Sequence, residues 1–182
     1  MQKRFFIILL LSLFVGTAVF AQGDHLRFEG LSLSGDYNSF ARQLRKKHFR
    51  FKTKDHQEPF MEGKVLGERA DVTILVTPKS YQVYMILASY PQRESWALLK
   101  NQYESMKMKL FARYGDPQHS LETFASAEAE ADPLEGLSTG YTSYVSTWVV
   151  PGGEIIMSLS EDARVQIYFM DKEGMARANA EQ

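Results

Sequence analysis

One segment of the chain has the spacing of a serine nucleophile, because Gly136, Ser138 and Gly140 fit the Gly-x-Ser-x-Gly pattern. In serine hydrolases this pattern forms a sharp turn between a buried strand and a helix, and the histidine base follows the serine along the chain. Here an acidic segment precedes the pattern, and all four histidines come before Ser138. We therefore interpret residues 126–140 as a loop without catalytic function.

The histidines also lack the spacing of a metal site. His25, His48, His56 and His119 are scattered, and no two stand four apart on one helix, as a His-Glu-x-x-His site requires. The chain has no cysteine, which excludes thiol catalysis and cysteine-based zinc sites. We therefore predict no catalytic residue, no metal and no cofactor.

Carboxylates are the remaining candidates for catalysis, because glycoside hydrolysis uses two of them about 5–10 Å apart. The chain offers seven in predicted turns, strands and loops: Glu58, Glu62, Glu68, Asp71, Glu154, Glu161 and Asp162. Nothing in their spacing distinguishes a pair. An envelope hydrolase with an unrecognised carboxylate pair therefore remains an alternative.

A run of seven cations lies between Arg42 and Lys54, with no acid among them. One interpretation is a site for an anionic partner. The other is a solvated helix end and edge strand, where lysines prevent edge-to-edge pairing. The candidate anion-binding residues are Arg42, Arg45, Lys46, Lys47 and Arg50.

An acidic counterpart to this run follows later in the chain. Its members are Glu122, Glu128, Glu130, Asp132 and Glu135. Either this segment folds over the basic run, or it meets the basic run on another copy of the chain. Both contacts would weaken with salt, because the screening length is about 8 Å at physiological ionic strength.

Aromatic residues in the predicted strands are the other candidates for binding. Successive residues of a strand face opposite sides, so Tyr84 and Tyr90 share one face of the strand at 80–90. If the opposite face packs under the helices, these residues line an open sheet face, and Tyr and Trp are common anchors of recognition surfaces. The candidate partner-binding residues are Tyr84, Tyr90, Trp148 and Tyr168. A second core layer or a closed dimer is the alternative.

The first 21 residues have the pattern of a cleaved signal peptide. Lys3 and Arg4 precede an apolar run from Phe5 to Phe20, and Val19 and Ala21 fit a signal peptidase site. The run is shorter than the roughly 20 residues of a membrane-spanning helix. We therefore expect a periplasmic or secreted bacterial protein without a membrane-spanning segment. With the leader removed, the net charge is −3, which argues against a nucleic-acid partner.

The remaining 161 residues suit one domain. Apolar residues at helical spacing predict helices over 36–48 and 92–114, with Pro91 preceding the second and Gly115 ending it. Segments rich in β-branched and aromatic residues predict strands. These are 60–69, 71–77, 80–90, 119–125, 143–150, 153–160 and 164–170. We expect a single domain over 22–172 and a polar, frayed tail over 173–182.

This order predicts an α+β fold with both helices on one face of an antiparallel meander sheet, arranged as helix-βββ-helix-βββ(β). A tandem α-βββ repeat is one interpretation of the order. The pattern of Phe28-x-Gly30, Phe49, Tyr114-Gly115-Asp116-Pro117, Trp148-x-x-x-Gly152 and Val165-x-x-Tyr168 resembles small exported proteins of Bacteroidota. Their layout is similar to β-lactamase-inhibitor-protein-like domains. The resemblance implies this helix-plus-meander layout and assigns no functional residue.

These observations favour an exported, non-enzymatic domain that binds a macromolecule through an aromatic sheet face. The expected partner is a protein or an envelope polysaccharide, and a homodimer is also open. The alternatives are the envelope hydrolase and a self-associating structural protein.

Overall fold

A computed structural model describes residues 24–52 and 60–182, so the predicted leader over 1–21 lies outside the described residues. The helices are α1 (Tyr37–Lys46), α2 (Trp96–Tyr114), α3 (Ala127–Ala131), α4 (Pro133–Ser138) and α5 (Lys172–Ala180). The first five strands are β1 (Arg27–Phe28), β2 (Leu31–Ser32), β3 (Arg50–Lys52), β4 (Phe60–Val65) and β5 (Glu68–Val76). The others are β6 (Val83–Ser89), β7 (His119–Phe124), β8 (Thr142–Val150), β9 (Gly153–Leu159) and β10 (Val165–Asp171).

Eight of these strands form one antiparallel sheet in the order β3-β4-β5-β6-β10-β9-β8-β7, while β1 and β2 form a separate two-stranded sheet. The predicted α+β class is confirmed. The order is also internally symmetric, because β6 and β10 are central and each is the last strand of a four-stranded meander. The meanders follow α1 and α2, so the tandem arrangement is present in the topology, with four strands in each half.

Helices α1 and α2, which we call the two long helices, pack on the same face of the sheet. On α2, Tyr103 is buried and its hydroxyl lies 2.9 Å from the Ser146 hydroxyl of β8. On the α1 side, the Phe49 ring lies over Gly63, where an added Cβ would stand 2.2 Å from the ring. The ring of Phe28 lies between the rings of Phe49 and Phe169 of β10, with centroid distances of 6.0 Å to Phe49 and 5.1 Å to Phe169. One hydrophobic core therefore runs under both helices.

Local sequence sets the ends of these helices. The Asp36 carboxylate caps α1 by accepting from the Ser39 amide, and the Ser95 hydroxyl caps α2 by accepting from the Leu98 amide. The second helix therefore begins at Trp96 rather than at residue 92. Gly115 ends it with φ 80°, a conformation that glycine adopts without steric cost.

The chain does not fray after β10, and the predicted polar tail over 173–182 is wrong. Asp171 caps α5 by accepting from the Gly174 amide at 2.9 Å. Gly174 lies so close to Tyr84 that an added Cβ would stand 2.6 Å from the tyrosine Cβ. At the far end, Glu181 accepts hydrogen bonds from the Lys79 and Ser80 amides. The helix is therefore fixed to the sheet at both ends.

Among the described helices, none combines the length and the apolar composition that crossing a membrane requires.

Candidate functional site

The sheet face opposite the two long helices forms the largest candidate site. Strand register places Leu87, Tyr168, Ile156 and Thr147 side by side across four strands. These side chains are half-buried and do not belong to the core cluster. We call this surface the open face, and its apolar members are Phe60, Leu75, Met85, Leu87, Leu121, Val145, Val149, Ile156, Tyr168 and Met170. The described residues therefore leave a largely apolar sheet surface that neither α1 nor α2 covers, while Met175 of α5 lines one hollow with Met170 at its end.

The register corrects the predicted aromatic site. Tyr168 pairs with Leu87, so its face carries Met85 and Leu87, whereas Ile86 and Ala88 face the core. Tyr168 lies on the open face as expected, and its hydroxyl donates to Gln166 Oε1 at 2.8 Å. Tyr84 is half-buried and packs against Gly174 of α5. Tyr84 and Tyr168 therefore do not form one patch.

The expected exposure of the other two aromatic residues is wrong. Tyr90 is fully buried, and its hydroxyl donates to the Val65 carbonyl at 3.1 Å. Burial raises the pKa of Tyr90, so the phenol stays protonated. Trp148 is also fully buried, with its ring nitrogen donating to the Gly115 carbonyl at 3.0 Å. Both rings belong to the hydrophobic core.

The size of the open face suits a macromolecule better than a small ligand. Eight strands at a spacing of about 4.8 Å span about 34 Å, and six paired residues extend about 20 Å along a strand. The whole sheet side, including its charged rows, therefore has a flat area of about 700 Å², which approaches the roughly 800 Å² that each partner contributes to a standard protein–protein interface.

A second candidate site lies at the β3 end of the sheet. The predicted cations Arg42, Arg45, Lys46, Lys47 and Arg50 are all exposed, on α1 and on β3. Within the described residues none of them pairs with a carboxylate, and Arg42 donates only to the Ser39 hydroxyl. We call these five residues the basic edge. A shallow depression of about 570 Å³ beside them is lined by Arg45, His48, Phe49, Arg50 and Phe51.

The acidic counterpart lies at the opposite end of the sheet. Glu128, Glu130, Asp132 and Glu135 are exposed on α3 and α4, which follow β7. We call these four residues the acidic edge. The fifth predicted member, Glu122, differs because it pairs with Lys107 of α2. About 34 Å of sheet separates the two edges, so the acidic segment does not fold over the basic run.

The structure gives no turn of the hydrolase type at Ser138. This residue ends α4, and its hydroxyl donates to the Glu135 carbonyl at 2.9 Å. The predicted loop over 126–140 contains α3 and α4, which are short helices capped by Ser126 and Asp132. Three of the candidate carboxylates are engaged in ion pairs: Glu62 with Arg69, Glu68 with Lys109, and Asp162 with Arg164.

The histidines of the described chain do not gather with acids into a group of three that could hold a metal ion. His56 and Glu58 lie outside the described residues. One pairing was not predicted: His25 Nδ1 lies 3.0 Å from Oδ2 of Asp171. Asp171 is fully buried and also accepts from the Leu26 and Gly174 amides, both at 2.9 Å. The carboxylate therefore joins the N-terminal segment to α5.

The pair borders a cleft of about 620 Å³ between the N-terminal segment, the start of β6 and α5. The carboxylate is saturated by amide donors and by His25, which gives it a structural role. One sequence signal was available for this role. Asp171 is an acidic residue directly before the segment at 172–180, so it could have been predicted to cap a helix there.

Comparisons of the chain with protein-family models, curated proteins and solved structures found no match. The resemblance to exported Bacteroidota proteins therefore stays a prediction, and the open face and the two edges are the observations that bear on function.

Proposed function

We propose that this chain is an exported, non-enzymatic binding domain whose open face docks on another protein. The observation that supports it is the continuous row of half-buried apolar side chains across the sheet centre, from Leu87 through Tyr168 to Ile156. Large exposed apolar patches on soluble proteins commonly mark interaction sites.

The chemistry of the open face favours a protein partner over a polysaccharide. Eight of its ten apolar members are aliphatic or methionine side chains, and the two aromatic rings are Phe60 and Tyr168. Such side chains gain free energy by removing apolar surface from water, at about 25 cal/mol per Å². A sugar surface, rich in hydroxyl groups, offers less apolar area in return. The partner surface should therefore be apolar at its centre.

Charged groups at the rim of the open face fit the same proposal. Asp71 and Glu62 pair with each other at one side of the face, in the row of Ser89 and Gln166, and Glu154 is exposed at another side. Protein interfaces commonly have an apolar centre and a polar rim. The export part of the proposal rests on the leader pattern of residues 1–21.

The test is a comparison of two variants that each change two apolar side chains. Tyr168→Ala with Ile156→Thr removes the centre of the open face, whereas Met108→Ala with Phe111→Ala removes exposed apolar groups on α2. Immobilised wild-type and variant proteins are exposed to envelope and culture-fluid proteins, and each captured protein is then purified and its affinity measured. We expect at least a tenfold loss of affinity in the open-face variant and no change in the α2 variant.

Unfolding by denaturant should show the same midpoint for both variants, which separates lost binding from lost folding. A captured protein that binds the open-face variant as tightly as wild type would contradict the proposal. Equal losses in both variants would also contradict it, since they would indicate non-specific adhesion.

A further inference from the structure

We propose that the basic edge of one molecule binds the acidic edge of a second copy, so that the chain associates head to tail and its sheets continue from copy to copy. This interaction uses the two ends of the sheet and shares only Leu121 with the open face.

The two edges carry opposite charges that form no ion pair among the described residues, although Asp132 also caps α4 and Glu128 is hydrogen-bonded to Ser126. Five exposed cations form the basic edge, four exposed carboxylates form the acidic edge, and in the described residues neither set has an ion-pair partner. Their separation of about 34 Å exceeds the screening length of about 8 Å, so they do not neutralise each other within one copy. Contact between copies brings them together.

Strand direction fits head-to-tail pairing. The sheet has eight strands that alternate in direction, so its terminal strands β3 and β7 run opposite to each other. A second copy in the same orientation would therefore place its β3 antiparallel to β7 of the first copy. Edge strands carry unpaired backbone donors and acceptors that favour such pairing. The helices of both copies would lie on the same side of the continued sheet.

The charged groups also lie at the same end of the strands. Strand β3 begins at Arg50, immediately after the cations of α1, and β7 ends at Phe124, immediately before α3. Strand register places Arg50 in one row with Leu121 of β7, through Glu62, Asp71, Ser89, Gln166, Ser158 and Val145. A copy displaced along this row brings the basic edge beside the acidic edge.

Each edge also exposes a large apolar side chain, Phe51 at 47% on β3 and Leu121 at 55% on β7.

A symmetric dimer would pair β3 with β3 or β7 with β7, which brings like charges together. Like-charge contact opposes both symmetric arrangements. The charge distribution therefore selects the head-to-tail contact, which does not close on itself and can extend.

The test measures the mass of the purified protein by light scattering over a range of concentrations and salt. At an ionic strength of about 0.01 M we expect the average mass to rise with concentration beyond that of a dimer. At about 1 M, where the screening length falls to about 3 Å, we expect the monomer mass.

Two charge-reversal variants test the residues. Arg45→Glu with Arg50→Glu lowers the net charge of the basic edge from +5 to +1, and Glu128→Lys with Glu130→Lys raises that of the acidic edge from −4 to zero, so each variant keeps one intact edge. Each variant alone should stay monomeric at low salt, and an equimolar mixture of the two should associate again. As a matched control, Lys100→Glu with Arg113→Glu changes the net charge equally at exposed positions of α2 and should leave association unchanged.

A wild-type protein that stays monomeric at low salt would overturn the proposal. So would a dimer that does not grow, or association that only the α2 control variant abolishes. Binding to dextran sulfate that requires Arg45 and Arg50, in a protein that remains monomeric, would also overturn it and would assign the basic edge to an anionic polymer.

Discussion

The two faces of the eight-stranded sheet come from the same strands but have different environments. On β10, Ile167 and Phe169 point under the helices and are buried, whereas their neighbours Gln166 and Tyr168 point to the open face and are half-exposed. Both faces are rich in apolar residues. Composition alone therefore does not determine which side is the core, and the placement of the helices decides it.

The largest expected difference between the faces concerns their central aromatic residues. Trp148→Ala removes a fully buried ring from the covered face and should lower the free energy of unfolding by about 3–5 kcal/mol. Tyr168→Ala on the open face should lower it by less than about 1 kcal/mol. Urea unfolding of both variants measures the two values. Equal losses would mean that the open face is covered in solution.

A smaller loss is expected at the edge of the covered face. Asp171→Ala leaves the Leu26 and Gly174 amides and His25 without their acceptor, and we expect a loss of about 2–3 kcal/mol. Asp171→Asn keeps one carbonyl acceptor and should lose less. Urea unfolding measures both, and a neutral Asp171→Ala variant would refute the joining role of this carboxylate.

The smallest effect concerns the C-terminal end of α5 and depends on pH. Hydrogen bonds from the Ser80 side chain and from the Ser80 and Lys79 amides lower the pKa of Glu181 from 4.5 to about 2. Since the folded-state pKa of Glu181 is depressed, the ionised carboxylate stabilises the folded protein above pH 4.5. This contribution is lost as the pH falls toward 2.

Hydrogen exchange of the Lys79 and Ser80 amides should therefore accelerate between these pH values, beyond the intrinsic pH dependence of exchange. Glu181→Gln should remove this acceleration while leaving amides of the sheet centre unchanged. An unaltered profile in the variant would show that another group controls the contact.

The sequence predicted the regular elements well where their patterns were strong. The apolar stripe of α2 and the β-branched runs of β5 and β6 each have one dominant period, and the structure has these elements within a few residues of the predicted bounds. The predicted start of α2 was early because Pro91 resembled a first helical residue, whereas the hydroxyl of Ser95 makes the cap.

The helix α5 was missed for a physical reason. Its buried residues are Gly174 and Ala178, which are too small to give an apolar stripe, and its packing depends on close approach to Tyr84. Sequence periodicity does not register contacts made by small residues. Strand β6 was difficult for a different reason. Both of its faces are apolar, so its sequence does not show which face is buried under the helices.

That ambiguity also explains the error in the aromatic site. Alternation along β6 grouped Ile86 and Ala88 with Tyr90 correctly, but the face under the helices was assigned to the wrong group, and the register irregularity at Tyr84 puts Val83 in the core. Only the pairing of Leu87 with Tyr168 settles the assignment. The exposed basic residues were easier to place, because a helix end followed by a short edge strand leaves cations in water whatever the sheet register.

The position of β10 has a consequence for the order in which the molecule can form. A ribosome or an export channel delivers the chain from its N-terminus, yet this last strand joins the two meanders at their centre, where Phe169 pairs with Ile86. Until β10 emerges, the inner edge of β6 has no neighbour, and each four-stranded half is an incomplete sheet. Unpaired edges of this kind promote aggregation. The nascent protein should therefore depend on a holding chaperone until β10 has been delivered.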